Sequence, residues 1–213
     1  GMSITHEDSS AQHAVFHFRS EIEERVPPIE STPSKATDGR SDSTSLLGPY
    51  IRHSADFRFK QTGYSLDTVW NIGDFDTPSW RLQIMGNLLD REACSGILAF
   101  WSPGQGHLPV LVCRGKGARP EGVILAGRDR LELLISAHNI RKLNLSCPVD
   151  LKPLPDSSDL SSVASPGSVG FLLTDIDPVP GSAWTAPLRD SSASLVKSGG
   201  KWAVLGRSTD IAA

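Results

Sequence analysis

Residues 27–45 are the segment that most restricts how this chain folds. Their sequence, PPIESTPSKATDGRSDSTS, contains almost nothing apolar beyond Ile29 and Ala36 and is crowded with Pro, Ser, Thr and Asp. Such a segment cannot bury enough apolar surface to offset the conformational entropy lost when it is ordered. We therefore expect a flexible N-terminal arm over residues 1–45 and a single domain over residues 46–213 that holds the hydrophobic core.

Composition and charge exclude several classes of protein. Hydrophobic residues make up 38% of the 213, so the chain can bury a sizeable core. Lys and Arg number 21 against 24 Asp and Glu, a net charge of -3, which leaves no bulk positive field to hold a nucleic acid backbone. No apolar run approaches the roughly 18 residues of a transmembrane helix. We expect a soluble, cytoplasmic protein that binds neither nucleic acid nor membrane.

The three cysteines, Cys94, Cys113 and Cys147, form no metal-binding or disulfide pattern. Their number is odd, they include no CxxC pair, and no His stands at a metal-ligand interval beside them. Buried free thiols in a reducing compartment are the expected state. His13 and His17, with Glu21, would share a helical face able to bind a metal only if that segment is helical. The sequence predicts no metal site and identifies no cofactor.

Hydrophobic periodicity predicts a mixture of helices and strands. Helices are expected over residues 78–92 and over residues 129–143, where Asp129 and Glu132 resemble a capping box. Strands are expected at ADFRFK, GVILAG and SVGFLLTDI. Residues 9–25 are ambiguous, because Phe16 and Phe18 alternate as in a strand, but the SEIEER that follows favours a helix.

Two antiparallel hairpins complete the predicted sheet. GILAFW and LPVLVCRG are apolar runs joined by SPGQGH, and ASLV and KWAVLG flank a turn at residues 197–200. Glycine and proline between two apolar runs are typical of hairpin turns. We therefore expect an α+β fold, an antiparallel sheet of five or six strands with helices mainly on one face.

The order of elements over residues 78–213 resembles a GAF domain, the antiparallel-sheet sensor module related to PAS domains. The helix PSWRLQIMGNLLDRE and the run ACSGILAFWSPGQGHLPVLVCRGKG look like the start of that family, and AWTAPLRDSSASLVKSGGKWAVLG is similar to its closing hairpin. The Pro-rich and Ser-rich stretch of residues 148–168 departs from the family pattern. The resemblance implies a pocket for a small-molecule ligand and a non-catalytic, regulatory signalling role, exerted through a protein partner or within a homodimer.

A ligand pocket is then expected between the sheet and the helix of residues 129–143. His138 lies on the apolar stripe of that helix, so it is either a core imidazole bonded to a backbone group or the polar point of the pocket. Phe100 or Trp101 would form a wall, and only one of them can face inward because neighbouring strand residues point to opposite faces. Cys113 and Arg114 complete the predicted ligand-binding set, and no catalytic residue is assigned.

Two enzymatic alternatives remain open. Cys113 beside His107 is the minimal arrangement of a thiol nucleophile, as in a thiol redox enzyme. His138, Asp175 and Ser191 follow the chain order of a serine-hydrolase triad, but neither a GDSGG-like nor a GxSxG sequence surrounds the serine. Because neither set has the local sequence that its chemistry requires, we expect a binding module rather than a small hydrolase or redox enzyme.

Overall fold

The computed structural model describes residues 2–9, 14–20, 47–60, 62–89, 92–115, 117–176 and 184–206, of which 2–9 and 14–20 are described for the backbone only. The chain divides into two compact units, Gly1–Arg40 and Ser41–Ala213. Residues 27–45 lie outside the described residues, so the flexible arm and the boundary expected at residue 45 stay predictions.

The first unit contains an antiparallel pair of strands, β1 (Met2–Ser9) and β2 (Ala14–Ser20). The helix expected over residues 9–25 is therefore wrong, and the alternation of Phe16 and Phe18 was the better indicator. Because His17 lies on β2, the helical metal-binding face that it would share with His13 and Glu21 does not form; His13 and Glu21 lie outside the described residues.

The second unit begins with a separate antiparallel hairpin. A short 3-10 helix (Gly48–Tyr50) leads into β3 (Ile51–Phe59), which pairs with β4 (Thr62–Val69). The strand predicted at ADFRFK is confirmed as part of β3. Helix α1 (Trp80–Leu89) follows and confirms the helix predicted over residues 78–92, with narrower bounds.

The described part of the second unit is built on a five-stranded parallel sheet, with its remaining helices between the strands. The elements in chain order are β5 (Ser95–Trp101), α2 (His107–Arg114), β6 (Arg119–Gly127), α3 (Arg130–Arg141), β7 (Val149–Pro153), a 3-10 helix (Ser157–Ser162), β8 (Val169–Asp175), α4 (Thr185–Leu195) and β9 (Val196–Leu205). The predictions of α3, β6 and β8 are confirmed. None of the described helices is long and apolar enough to cross a membrane.

Both faces of the parallel sheet are buried. Phe100 lies in a core shared with the β3–β4 hairpin and helices α1, α2 and α3, whereas Trp101 lies in a second core with α4 and the Ser157–Ser162 helix. Strands buried on both faces appear in sequence as continuous apolar runs rather than as alternating ones. GILAFW and VGFLL are runs of this kind, which agrees with a sheet that is buried on both faces.

The predicted antiparallel α+β fold and the GAF resemblance are wrong. The strand order is β7-β6-β5-β8-β9, and all four pairings are parallel. Numbered along the chain this order is 3-2-1-4-5, which is that of the doubly wound, Rossmann-like fold. Helices cover both faces of such a sheet, not mainly one.

The opening hairpin fails because LPVLVCR is a helix. Every residue of α2 from His107 to Cys113 is buried, and a short continuous apolar run cannot be told from a strand by periodicity alone. Pro109 sits in the first turn of this helix, where proline is tolerated.

The closing hairpin fails because α4 runs directly into β9. Val196 pairs with Val169 and Lys201 pairs with Phe171, so residues 197–200 form a bulge within one strand rather than a turn between two. A Cβ added at Gly200 would lie 2.7 Å from Val196 Cγ1. The glycine is therefore required by the close packing of the bulge.

Candidate functional site

The doubly wound sheet places a candidate site at the carboxyl ends of β5 and β8. The chain order of the strands reverses at β5, since β6 lies on one side of it and β8 on the other. In sheets of this kind ligands bind in the crevice outside the strand ends at that point. A crevice is present there, lined by Asp74, Leu82, Ser102, Pro103, Gly104, Gln105, His107, Leu108, Pro109, Leu173 and Asp175.

The loop of residues 102–106, with the sequence SPGQG, forms one wall of the crevice. Ser102, Gly104 and Gly106 have positive φ angles of 52°, 59° and 93°, a backbone region that glycine adopts most readily. A Cβ added at Gly104 would meet nothing within 4 Å, whereas one added at Gly106 would lie 3.1 Å from the Cα of Ser136. The loop therefore packs against α3 at Gly106 and is open at Gly104.

Glu132, in the first turn of α3, binds this loop. The Gly104 amide donates a hydrogen bond to Glu132 Oε1 at 2.5 Å. Burial raises the pKa of Glu132 to about 7; the Gly104 hydrogen bond opposes this shift, while the charges of Asp129 and Asp175 add to it. Asp129 caps α3 by accepting from the Leu131 amide at 2.8 Å. Half of the predicted capping box is thus confirmed, because Asp129 caps the helix but Glu132 reaches the loop.

Two buried carboxamides connect the loop to the β3–β4 hairpin. Gln105 accepts from the Val69 amide at 3.1 Å and donates to the carbonyls of Val69 and Ile72, both at 2.9 Å. Asn139 of α3 donates to the carbonyls of Gln105 and Asp67 at 2.8 and 2.9 Å and accepts from the Asp67 amide at 2.9 Å. Since each amide nitrogen and oxygen has a partner, loop and hairpin form one hydrogen-bonded unit.

His107 fixes the start of α2 in the same way. Its Nε2 lies 2.8 Å from the Asp74 carbonyl oxygen and its Nδ1 lies 2.8 Å from the Tyr64 hydroxyl. A carbonyl oxygen can only accept, so Nε2 donates to it and Nδ1 accepts from Tyr64. Burial lowers the pKa of His107 and raises that of Tyr64. The imidazole is therefore a neutral structural link.

Arg81 of α1 binds Asp175, one of the residues that line the crevice. Its guanidinium forms an ion pair with Asp175 at the end of β8 and donates to the Ile176 carbonyl at 3.3 Å. Arg81 Nε is buried and has no hydrogen-bond partner within the described part of the chain. The cavity left in the crevice is about 30 Å³, the volume of roughly one water molecule.

The structure does not bring the predicted ligand-binding residues together. Phe100 and Trp101 are buried on opposite faces of the sheet, as the strand alternation required. Cys113 is buried in α2, where burial raises the pKa of its thiol to about 12. Arg114 ends α2 and lines an open groove with Asp56, Phe57, Arg58, Gly63, Tyr64 and Ser65. A ligand-binding role for these residues stays a prediction.

His138 bonds a carboxylate rather than the backbone group that one of its two expected roles required; its role as the polar point of a ligand pocket stays a prediction. Its Nε2 lies 2.7 Å from Asp67 Oδ2, and Lys142 Nζ lies 2.8 Å from Asp67 Oδ1. Burial would raise the pKa of Asp67, but hydrogen bonds from Lys142, Ser54 and His138 lower it to about 2. His138 therefore helps to hold the β3–β4 hairpin on α3 through a carboxylate rather than through a backbone group.

The enzymatic alternatives are also wrong. His138 pairs with Asp67, Asp175 pairs with Arg81, and the Ser191 hydroxyl donates to the Ser158 carbonyl, so no triad forms. His107 is bonded to Tyr64 and Asp74 and is not a base for a thiolate. Among the residues that the structure describes, no three His, Cys, Asp or Glu are grouped to hold a metal ion.

The sequence reasoning missed two residues that line the crevice, Gly104 and Gln105. It also missed the residues that bind lining residues, namely Arg81, Glu132 and Asn139. A signal for the loop was present, because Gly104 and Gly106 directly follow a continuous apolar run. A glycine pair after a buried strand is typical of the first strand-to-helix turn of a doubly wound sheet. We assigned it to a hairpin turn instead.

Comparisons with other proteins give only remote likenesses. No family model matches the chain, and no curated protein matches its sequence. A Pyrococcus horikoshii protein described as a transferase has 15% identity and a TM-score of 0.49, over 75% of this chain and 59% of that one. TYW2 of M. jannaschii, solved in complex with AdoMet, has 13% identity and a TM-score of 0.48, over 70% and 61%. TYW2 of P. horikoshii, solved with MeSAdo, has 15% identity and a TM-score of 0.48, over 70% and 50%.

These likenesses are too remote to carry an argument about function. The chain spans less than two thirds of the length of each of these structures. The fold assignment rests on the strand order itself, and that order overturns the non-catalytic, GAF-like sensor interpretation, which depended on an antiparallel sheet.

Proposed function

We propose that the chain binds a cationic nucleoside derivative at the carboxyl ends of β5 and β8, and that it is a methyltransferase using S-adenosylmethionine. The observation that carries the proposal is an acidic crevice at the switch point of a parallel sheet. Asp74 and Asp175 line this crevice, and Glu132 binds its glycine loop. The fold supports a ligand at this place, and the charge decides which kind of ligand.

The charge of the crevice argues against a phosphate-bearing dinucleotide. Doubly wound proteins that bind dinucleotides hold the pyrophosphate at a helix N-terminus behind a G-x-G-x-x-G loop. In this chain Gly104 and Gly106 are present, but Pro109 stands at the third glycine position. Once Arg81 separates from Asp175, the carboxylates of the crevice would repel a phosphate and attract a positive group. S-adenosylmethionine is positively charged at its sulfonium centre, which favours it over NAD.

The chain's own residues suit this role in three ways. The Asp175 carboxylate is placed to attract the positive part of the ligand. The Gly104 amide is placed to donate a hydrogen bond to an acceptor atom elsewhere on the ligand. Leu82, Leu108 and Leu173 give the crevice apolar walls that exclude water. Bound there, S-adenosylmethionine would supply an electrophilic methyl group, whose transfer to a nucleophile breaks the carbon–sulfur bond and leaves a neutral thioether.

The crevice must open before a nucleoside can enter, since its cavity is about 30 Å³. Arg81 pairs with Asp175 at the end of β8, and Glu132 holds the Gly104 amide. Asn139 also binds the Gln105 carbonyl, so the loop is held on α3 by more than Glu132. Separation of α1 from β8, with release of the Gly104 amide by Glu132, is the movement that binding requires.

Calorimetry with S-adenosylmethionine and S-adenosylhomocysteine tests the proposal, with NAD as the comparison ligand. We expect micromolar binding of both adenosyl ligands and none of NAD. Asp175→Asn should weaken the binding of S-adenosylmethionine about tenfold or more, because it removes the charge at the end of β8; tenfold corresponds to about 1.4 kcal/mol. Asp159→Asn, an exposed carboxylate in the Ser157–Ser162 helix, is the matched control and should bind as the wild type does. Binding of NAD in place of S-adenosylmethionine would refute the proposal.

A cytoplasmic location belongs to the same proposal. Cys94, Cys113 and Cys147 are all free thiols, and free thiols persist in a reducing compartment. A protein partner or a homodimer stays a prediction for this chain.

A further inference from the structure

The Glu132 carboxylate already occupies the hydrogen-bond donor that a ligand would use. Its Oε1 accepts from the Gly104 amide at 2.5 Å. The space beside Gly104 is open, since a Cβ added there meets nothing within 4 Å. The amide is thus held by the protein at a point of the loop that has open space beside it.

Glu132 reaches this point from a helix rather than from a strand end. It is in the first turn of α3, and its Oε2 would lie 3.8 Å from a Cβ added at Gly127, the last residue of β6. The carboxylate therefore lies between the ends of β5 and β6. Within the described part of the chain, the Gly104 amide is the hydrogen-bond partner that the structure gives it.

We propose that Glu132 competes with the ligand for the Gly104 amide, so that Glu132 is a positioning residue of the loop and its release is coupled to ligand binding. This inference rests on the function proposed above. It assigns no contact between Glu132 and the reacting atoms. Its role is to hold the loop closed until a ligand takes the amide.

The surroundings of Glu132 make this competition dependent on pH. Burial raises the pKa of Glu132 to about 7, so its proton is exchanged near neutral pH, and a protonated carboxyl is a weaker acceptor than a carboxylate. Binding of the ligand should therefore strengthen as pH falls from 8 to 6. The charged and titratable groups around the crevice are Asp129 at the start of α3, Asp175 paired with Arg81, Asp74, and a His107 whose pKa is lowered by burial.

The expected size of the effect follows from the fraction of the protein that is free to bind. If only molecules with a protonated Glu132 release the amide, the apparent dissociation constant rises in inverse proportion to that fraction. With a pKa of about 7, the wild type should bind S-adenosylhomocysteine about tenfold more weakly at pH 8 than at pH 6. Glu132→Gln carries no ionisable group, so its affinity should not show this change.

Two variants and one ligand-free measurement test the inference. Calorimetry with S-adenosylhomocysteine at pH 6, 7 and 8 compares the wild type, Glu132→Gln and the control Glu121→Gln, which alters an exposed glutamate of β6. The ammonium group of the ligand titrates in the same way with all three proteins and cancels in the comparison. In the ligand-free wild type, the Gly104 amide resonance should shift with pH with a midpoint near 7, and it should not do so in Glu132→Gln.

The possible results separate this inference from the proposed function. The inference holds if Glu132→Gln loses the pH dependence while Glu121→Gln keeps it. It is overturned if the wild type and Glu132→Gln show the same pH profile, and in that case the proposed function still stands. Absence of binding by every variant would refute the proposed function instead. If Glu132→Gln does not fold, the wild-type Gly104 resonance decides, because a resonance that stays constant between pH 5 and about 8.5 overturns the inference.

Discussion

The Asn139 side chain donates a hydrogen bond to the Gln105 carbonyl at 2.8 Å, and this contact joins α3 to the loop at the end of β5. The same amide nitrogen also donates to the Asp67 carbonyl. One buried side chain thus sets the position of the loop relative to the β3–β4 hairpin. Because the loop forms a wall of the candidate site, its geometry depends on an element outside the parallel sheet.

Replacing Asn139 should destabilise the fold. Asn139→Ala leaves the Asp67 amide and two carbonyls without their partner, and an unsatisfied buried polar group costs about 1–3 kcal/mol. We expect the free energy of unfolding to fall by about 2–4 kcal/mol in urea denaturation. Ser161→Ala, at an exposed position of the Ser157–Ser162 helix, is the control and should change it by less than about 0.5 kcal/mol. Equal stability of Asn139→Ala and the wild type would show that the carboxamide does not join the loop to the hairpin.

Glu132 should make the protein less stable as pH rises towards neutral. Its pKa is raised from 4.5 to about 7 in the folded protein, so the folded state binds the proton more tightly than the unfolded state. The stabilisation of the folded state that this tighter proton binding gives is fully present below about pH 4.5 and is lost as pH rises through about 7. Glu132→Gln should therefore exceed the wild type in stability at pH 8 by on the order of 2 kcal/mol and match it more closely at pH 4.5.

The measurement for Glu132 is urea denaturation at a series of pH values. Glu121→Gln serves as the matched control, because this glutamate is exposed and its replacement should leave the pH dependence unchanged. A stability difference between Glu132→Gln and the wild type that does not vary with pH would contradict the expected titration of Glu132.

Asp67 should show the opposite pH dependence. Its pKa is lowered to about 2 by hydrogen bonds from Lys142, Ser54 and His138. The stabilisation of the folded state by the Asp67 carboxylate is therefore present above about pH 4 and is lost as pH falls towards 2. Asp67→Asn should lower the free energy of unfolding at pH 6 by about 1.5–3 kcal/mol, the range for a hydrogen bond to a charged group. The difference from the wild type should shrink in acid denaturation below pH 4, and a constant difference would show that the charge contributes nothing.

The two glycines of the loop should differ in their tolerance of alanine. Both have positive φ, which costs an L-residue roughly 1 kcal/mol. At Gly106 the added Cβ would also lie 3.1 Å from the Ser136 backbone, whereas at Gly104 it meets nothing within 4 Å. Gly106→Ala should therefore lower the melting temperature more than Gly104→Ala does, by the equivalent of a further 1 kcal/mol or about 2–4 °C. Equal melting temperatures would mean that the loop shifts away from α3 without cost.

Several local elements were predictable because their residues alone determine them. α3 begins where Asp129 can cap it, and the apolar runs GVILAG and SVGFLLTDI are strands. α2 was not predictable from periodicity, because its short, buried apolar run could equally be a strand. The bulge at residues 197–200 was mistaken for a turn because Gly199 and Gly200 serve equally well in either setting.

The sequence by itself determined which segments are apolar, where α1 and α3 lie and that Asp129 begins a helix, because these features depend on residues a few positions apart. Only the tertiary structure decided that the strands pair in parallel, since a strand's side chains do not specify which neighbour accepts its backbone hydrogen bonds. It also decided the candidate site. Glu132 and Gly104 are 28 residues apart in the chain, and they meet because α3 packs beside the end of β5.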